Sequence, residues 1–373
     1  MKKILLISFE YPTGKSYCGG VGQIVQQCRN ALLELGYETY VLITAEFLKK
    51  QPVKLLLPDN SLVRYPNFWA FQKHHPWHNF HYIIQHFVNW TKDLKKLKNH
   101  KGSRPRIIYH FHSILRREKD SGFKTLNSFL FNQERMIEIA DKVICPSRYE
   151  YDNFIRYFPY FSQKVTLIEN TVEHFPVEEQ EVQNIRKQYG IKKSDIVSIY
   201  VGRLERVKGA DTIIKNIPKI LAKHKKLKIF IVGKTLERNL YKKLKRVQRR
   251  FPHQVFHIKY LEKRFLFQYY YLSHIYINSS LSESFSLTTH ESALCKKALL
   301  LNSLPVFDKF KGAAMFFTNH DPQGSDFVAK YKHLIKDRQL RKRLSRESTK
   351  IAKNSCLRKN RLKENLPQLF KSF

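Results

Sequence analysis

The sequence predicts an α/β protein built as two domains, and three observations carry that expectation. Short apolar runs of strand length alternate with longer segments whose apolar residues recur at helical spacing. A glycine-rich turn links the first such run to the first helical segment, as a phosphate-binding junction requires. The alternation then starts afresh near residue 196, after a proline-bearing acidic stretch. A chain of 373 residues with 42% hydrophobic content has room for two ordinary cores and is too apolar for disorder.

Taken in order, residues 3–9 read as a strand entering a loop through Gly14 and Gly19-Gly20-Val21-Gly22. A helix is expected from near Gln23, with Ile24, Val25, Cys28, Leu32 and Leu33 on one face, and a strand over 38–44 completes a βαβ opening. Two sharper motifs are excluded. Gly14-Lys15-Ser16 resembles the end of a P-loop, but the first glycine would have to stand at Phe9. Gly20-Val21-Gly22 lacks the third glycine of the dinucleotide fingerprint.

Residues 65–106 hold Trp69, Trp77 and Trp90 with many other rings, then a basic run including Lys92, Lys95, Lys96, Lys98 and Lys101. An aromatic stretch beside a cationic one suits a bilayer interface. It equally suits a helix pair with aromatics in the core and lysines in water. Strand character returns over 107–112 and ends at His112, and two further runs, 137–147 and 165–172, complete the first domain. The acidic stretch 173–182, with Pro176, reads as a linker.

In the second half, the strand at 196–202 leads to Arg203 and Lys208, and a helix follows from about Asp211. These two cations flank a turn at a strand's C-terminal end, where α/β proteins bind ligands. A strand at 228–233 precedes a basic helix with Leu240, Leu244, Val247 and Phe251 on one face. Residues 275–301 then read as strand, polar loop, helix and strand, with Ser286 or Thr288 as N-cap and Leu287, Ala293 and Leu294 packed inward. Glu283 falls in the loop and Glu291 about one turn inside the helix. From residue 327 to the end the pattern is helical and basic.

Composition narrows the function. Sixty-eight Lys and Arg against 31 Asp and Glu give a net charge of +37, which implies an anionic partner. No run approaches the length of a membrane span, and the opening residues enter a strand rather than a cleavable signal. Five cysteines without CxxC spacing argue against a disulfide framework or zinc site, so a reduced, cytoplasmic setting is expected.

The stretch from Glu283 to Glu291 resembles the Glu-x7-Glu signature of the retaining GT-B glycosyltransferases of family 4, the glycosyl transferases group 1. Val201-Gly202-Arg203-Leu204 with Lys208-Gly209 resembles the frame that neutralises the donor diphosphate there, and the Gly19–Gly22 turn resembles the family's Gly-Gly-Val-Gly loop. The resemblance runs from Lys3 to about Leu344. It implies the GT-B fold: two Rossmann-like domains facing each other across a cleft, 1–175 acceptor-side and 176–350 nucleotide-sugar-binding, with 351–373 a helical segment packing back on the first. It implies catalytic roles for Glu283, Arg203, Lys208 and His112, and donor contacts from Gly20, Glu291, Ser286 and Leu287. The chain departs from the pattern where Ser284 and Ser286 replace both glycines of Glu-Gly-Phe-Gly, and where Lys296 and Ala298 replace a Gly and a Pro. A serine at these places narrows the approach to the donor.

What the resemblance implies is sugar transfer from a UDP- or GDP-sugar donor, with no cofactor and no obligatory metal. The acceptor would be a glycan or lipid-linked molecule in cell-surface polysaccharide assembly of lipopolysaccharide or capsule type. The enzyme would act peripherally on an anionic membrane surface, at the inner face of the cytoplasmic membrane. Two alternatives stand beside it: a nucleic-acid binder on the same scaffold, which lacks any recognised nucleic-acid module, and a degenerate, inactive transferase.

Overall fold

The structure is a computed structural model that describes residues 2–12, 18–44, 62–65, 71–73, 75–88, 90–100, 102–319, 323–356 and 361–373. The chain divides into two compact units, Met1–Asn170 with Asn360–Phe373, and Thr171–Lys359. The break thus precedes the expected 175/176 boundary, and the return to the first unit comes at 360 rather than 351. The acidic stretch 173–182 runs into a helix, Glu179–Gln188, whose first turn carries Glu179 and Glu181 at the positive end of its dipole.

In the first unit, strands β1 (Lys3–Ser8), β2 (Glu38–Thr44), β3 (Leu62–Tyr65), β4 (Tyr82–Gln85), β5 (Arg106–His110), β6 (Lys142–Cys145) and β7 (Val165–Leu167) form one sheet. The order is β3-β2-β1-β4-β5-β6-β7, and every pairing is parallel. The period of two along β1 divides its side chains between two cores. Leu5 and Ile7 enter one with Ile83 and Ile107, while Ile4 and Leu6 enter the other with Val25, Cys28 and Leu32. Covered on both faces, a parallel strand reads as a continuous apolar run. The last helix, Arg361–Lys371, adds Leu362, Leu366, Leu369 and Phe370 to the second core. Phe370 stacks on Tyr82 at 4.1 Å between ring centroids, and Lys363 pairs with Glu34 at 3.0 Å.

The stretch 65–106 is a correction to the sequence reading. In place of a helix pair, its middle is strand β4, seated beside β1 in the centre of the sheet. The basic run forms one helix, Thr91–Lys98, with Leu94 and Leu97 inward and Lys92, Lys95 and Lys96 exposed, as the reading with lysines in water expects. Phe71, Phe80, Tyr82 and Trp90 are buried, and Trp77 packs against the same core from a half-buried position. Those four buried rings are core residues rather than surface anchors. Among the cations, Lys98 and Arg104 both converge on Asp141, Arg104 at 3.0 Å. Against its burial, these cations and the Ile107 N–H hold the Asp141 carboxyl down to about 2. Phe68, Trp69, Lys101 and the Gly14-Lys15-Ser16 turn lie outside the described residues.

In the second unit, β8 (Ile196–Val201), β9 (Leu227–Val232), β10 (Val255–Ile258), β11 (Ile275–Asn278), β12 (Ala298–Asn302) and β13 (Met315–Phe317) make a parallel sheet in the order β10-β9-β8-β11-β12-β13. From β8 the chain winds outward to β10, then resumes at β11 and winds the other way. The neighbours β8 and β11 therefore mark the switch point, where the loops leaving their C-terminal ends part and open a crevice. In the first unit β1 and β4 hold the same position. Among the described residues, no helix is long and apolar enough to cross a membrane, and Cys18, Cys28, Cys145 and Cys295 form no disulfide.

Candidate active site

The two sequence segments singled out in the second unit both leave the switch-point strands, Arg203 to Lys208 after β8 and Glu283 to Glu291 after β11. Because β8 and β11 pair directly, residues far apart in sequence meet. Lys208 Nζ lies 3.0 Å from Glu283 Oε1, and Ser280 Oγ donates to the same oxygen at 2.7 Å. The backbone below them is fixed. Ser279 Oγ donates to Gly209 O at 2.8 Å, and Tyr200 Oη donates to Lys208 O at 3.2 Å and to Arg203 O at 3.1 Å. Gly209 has φ +64°, and a Cβ there would stand 1.7 Å from Ser279 O, so only glycine permits this approach. Arg203 is not drawn into the cluster. It is 45% exposed and pairs with Glu205 at 2.9 Å.

Glu291 lies within the helix Leu287–Leu294 and is only 1% exposed. Two residues that sequence reasoning missed hold it, both on the helix Lys263–Leu272. Tyr270 Oη donates to Oε2 at 3.1 Å, and Lys263 Nζ stands 3.0 Å from Oε1 as an ion pair. Ser286 occupies the N-cap position, but its own side chain makes no capping hydrogen bond to this helix, whose first N–H groups have no intrahelical acceptor. Ser286 adopts the left-handed φ of +64° that its glycine counterpart would favour. Its hydroxyl is turned inward, 3.1 Å from Asn278 Nδ2 and 2.9 Å from Thr289 Oγ1, so it does not narrow the approach as expected. His290 Nδ1 meets the Ser286 carbonyl at 2.9 Å and steadies the same turn.

Lys296 repeats the pattern at the other end of the helix. It has φ +60°, its N–H reaches Ala293 O and the next N–H reaches Ser292 O, the hydrogen bonds of a Schellman turn. A lysine there bears left-handed strain that glycine avoids, partly offset by glycine's greater freedom when unfolded. Lys296→Gly is therefore expected to raise stability by up to about 1 kcal/mol, left-handed strain of about 1–2 less about 0.4–1 for glycine's unfolded freedom, read as a higher Tm with no change in ligand binding. A lower Tm would show that the lysine side chain holds the turn.

In the first unit, the glycine-rich turn is engaged by a residue the sequence did not point to. Glu10 accepts the N–H of Gly19 at 3.0 Å and that of Gly22 at 2.9 Å. Its carboxylate thus takes up donors at the start of the helix Gly20–Glu34. The helix begins at Gly20 rather than near Gln23 because this distant acceptor caps it. A Cβ on Gly22 would meet Cys18 Sγ at 2.2 Å, so that glycine serves close packing. Gly20 itself is exposed.

His112, two residues past β5, joins two further histidines. His86 Nδ1 lies 3.2 Å from His112 Nε2, the rings 18° from parallel, and His110 packs against both at 4.9 and 5.1 Å. Burial, with mutual repulsion, holds His86 and His110 well below the ordinary histidine range, and burial lowers His112 to about 3. All three are neutral at physiological pH. Among the described residues no three His, Cys, Asp or Glu are grouped to hold a metal ion.

Comparison with known proteins follows the same division. Residues 18–174 match the family model of Glycosyltransferase Family 4, and residues 181–351 match that of Glycosyl transferases group 1. Among curated proteins, no sequence matches the chain. Among solved structures, sucrose-phosphate synthase from Thermosynechococcus elongatus is similar with a TM-score of 0.81 at 16% identity, covering 100% of this chain and 99% of that one. HepE from Anabaena, in complex with UDP and glucose, is similar at 0.75 and 16%, covering 100% of both chains. A glycosyltransferase from Rickettsia africae gives 0.71 and 14%, covering 100% and 98%. At such identities the likeness speaks for the fold, which is GT-B.

Proposed function

The chain belongs to the glycosyl transferases group 1, and on that premise we propose that it moves a sugar from a nucleoside-diphosphate sugar to a glycan or lipid-linked acceptor, with retention at the anomeric carbon. The observation that carries the reading is the Lys208–Glu283 pair where the chain leaves β8 and β11, followed at once by the start of the helix that holds buried Glu291. Each suits one part of such a donor. The helix N–H groups and Lys208 suit the diphosphate, Glu283 suits the sugar hydroxyls, and Glu291 suits the ribose. HepE was solved with UDP-glucose as well as with UDP and glucose, which favours a UDP-sugar over a GDP-sugar.

In this reading the bond from the anomeric carbon to the diphosphate breaks as the acceptor oxygen bonds the same face. The acceptor's proton passes to the departing phosphate oxygen, so no protein base is assigned. Charge growing on the phosphate is offset by Lys208, Arg203 and the helix dipole. His112, as a neutral imidazole, is assigned to hydrogen bonding near the reacting sugar, without adding charge. We assign the acceptor to cell-surface polysaccharide of lipopolysaccharide or capsule type, built at the inner face of the cytoplasmic membrane.

Thermal shift against UDP-, GDP- and ADP-sugars is expected to single out one donor, since a ligand at a hundred times its Kd stabilises by about 2.7 kcal/mol. NMR of the product then reads the anomer. An inverted product would overturn retention. No shift with any donor would leave a degenerate transferase, and a shift with oligonucleotides alone would leave a nucleic-acid binder.

A further inference from the structure

The net charge is not spread evenly. Between Arg206 and Arg250 stand sixteen Lys and Arg against two acids, Asp211 and Glu237. Both acids are engaged, Asp211 by Lys243 at 2.7 Å and Glu237 by the N–H of Arg206 at 2.8 Å. Most of these cations lie on or beside two helices, Ala210–Leu221 and Arg238–Arg250. The first of these packs between the second and the helix Ser325–Lys336. Ile213, Ile217, Leu240, Leu244, Phe327 and Tyr331 from the three helices share one core, so their opposite sides form a single outward layer.

We infer that this helix layer of the second unit is a docking face for an anionic lipid surface. The helix Arg238–Arg250 has no acidic residue, and Lys242, Arg246, Arg249 and Arg250 are all exposed. None of the four has an ion pair to an acid among the described residues. They stand three and four residues apart, where like charges on a helix repel. Such a face is relieved by a dense, extended array of anions, and a lipid leaflet supplies one.

The shape fits the same partner. Three helices abreast, about 10 Å apart, and about 20 Å long at 1.5 Å per residue, cover several headgroups. Leu236, 49% exposed just before the basic helix, offers one apolar group to the interface. Single-stranded nucleic acid favours open aromatic platforms. Here the Tyr241 ring is covered by Lys245, 5.5 Å from its centroid. The inference gives the proposed membrane setting its surface and rests on that reading. It moves the contact away from residues 65–106, where Phe71, Phe80, Tyr82 and Trp90 are buried.

The experiment is co-sedimentation with phosphatidylcholine vesicles, with and without phosphatidylglycerol, using the full chain. Replacing Lys242, Arg246, Arg249 and Arg250 with Gln is expected to weaken binding to the anionic vesicles several-hundred-fold, at about fivefold per cation. Replacing Lys92, Lys95, Lys96 and Lys119 in the first unit with Gln removes the same charge and is expected to leave most of the binding. Added salt should release the parent protein. Equal loss from both variants would overturn the surface, and equal binding to neutral vesicles would overturn the electrostatic basis. Oligonucleotide binding lost in the first variant, with vesicle binding unchanged, would assign the face to nucleic acid. The Lys242→Gln/Arg249→Gln double variant should show about half the loss on a logarithmic scale, which guards against misfolding of the fourfold one. Donor-induced thermal shift should be the same in every variant, so failure of the transfer reading would appear there and not in the vesicle assay.

Discussion

Lys208→Ala is expected to lower kcat by about 10²–10³, the cost of removing one group that stabilises charge in a transition state, while weakening donor binding far less. The difference follows from when the charge appears. The intact diphosphate is already anionic, but the added charge on the departing phosphate grows only as the sugar's bond breaks, and only differential stabilisation raises the rate. The structure also ranks the two candidate cations. Lys208 stands on a turn pinned by Ser279 and Tyr200, with Nζ 3.0 Å from Glu283. Arg203 is more exposed and engaged with Glu205, so Arg203→Ala should cost less. Ser280 remains as a donor to Glu283 in the Lys208 variant, which limits collateral damage. Steady-state kinetics with both substrates decides the matter. If Lys208→Ala raises KM alone, the residue binds the ground state and its catalytic role falls.

The parts of the fold that were legible are those whose signal is local. Buried β1 reads as a strand because both of its faces enter cores, and the helix Arg238–Arg250 reads as a helix because Leu240, Leu244 and Val247 recur at its period. Strand β4 was not legible. It is four residues long, Tyr82-Ile83-Ile84-Gln85, and sits among rings and histidines that suggest other things. Its strand character comes from β1 and β5 on either side, which is a tertiary cause. The start of the first long helix was misread for a similar reason, because its cap is Glu10, not a neighbouring Ser, Thr, Asp or Asn.

The site divides in the same way. Residue types and spacing, joined to the family resemblance, point to Lys208, Glu283 and Glu291, but not to what each one touches. The Lys208–Glu283 pair exists because β8 lies beside β11, and nothing local to either loop states that adjacency. Ser286 and Lys296 looked like losses of glycine. The backbone retains the left-handed conformation at both, and Ser286 adds hydrogen bonds to Asn278 and Thr289 that a glycine could not make. His86 carried no recognisable motif, yet β4 delivers it to His112.

Glu291→Ala is expected to weaken nucleotide binding by about 1.5–3 kcal/mol, the value of a hydrogen bond to a charged group, and also to destabilise the fold. The two effects have separate origins. The first is loss of the carboxylate that would accept from ribose hydroxyls. The second arises because Lys263 and Tyr270 lose their shared acceptor. Breaking one side of a buried pair costs about 3–5 kcal/mol, and the 15% exposure of the Lys263 side chain lets its ammonium reach water and brings the cost below that range. Combining Glu291→Ala with Lys263→Met removes the cation that faced the lost carboxylate, so the double variant should recover part of the lost stability. It should not recover nucleotide affinity. Chemical denaturation and calorimetric titration of the parent, both single variants and the double variant give the complete cycle. Unchanged affinity in Glu291→Ala would remove this residue from the nucleotide site. Recovery of affinity together with stability in the double variant would make Glu291 a structural residue whose effect on binding is indirect.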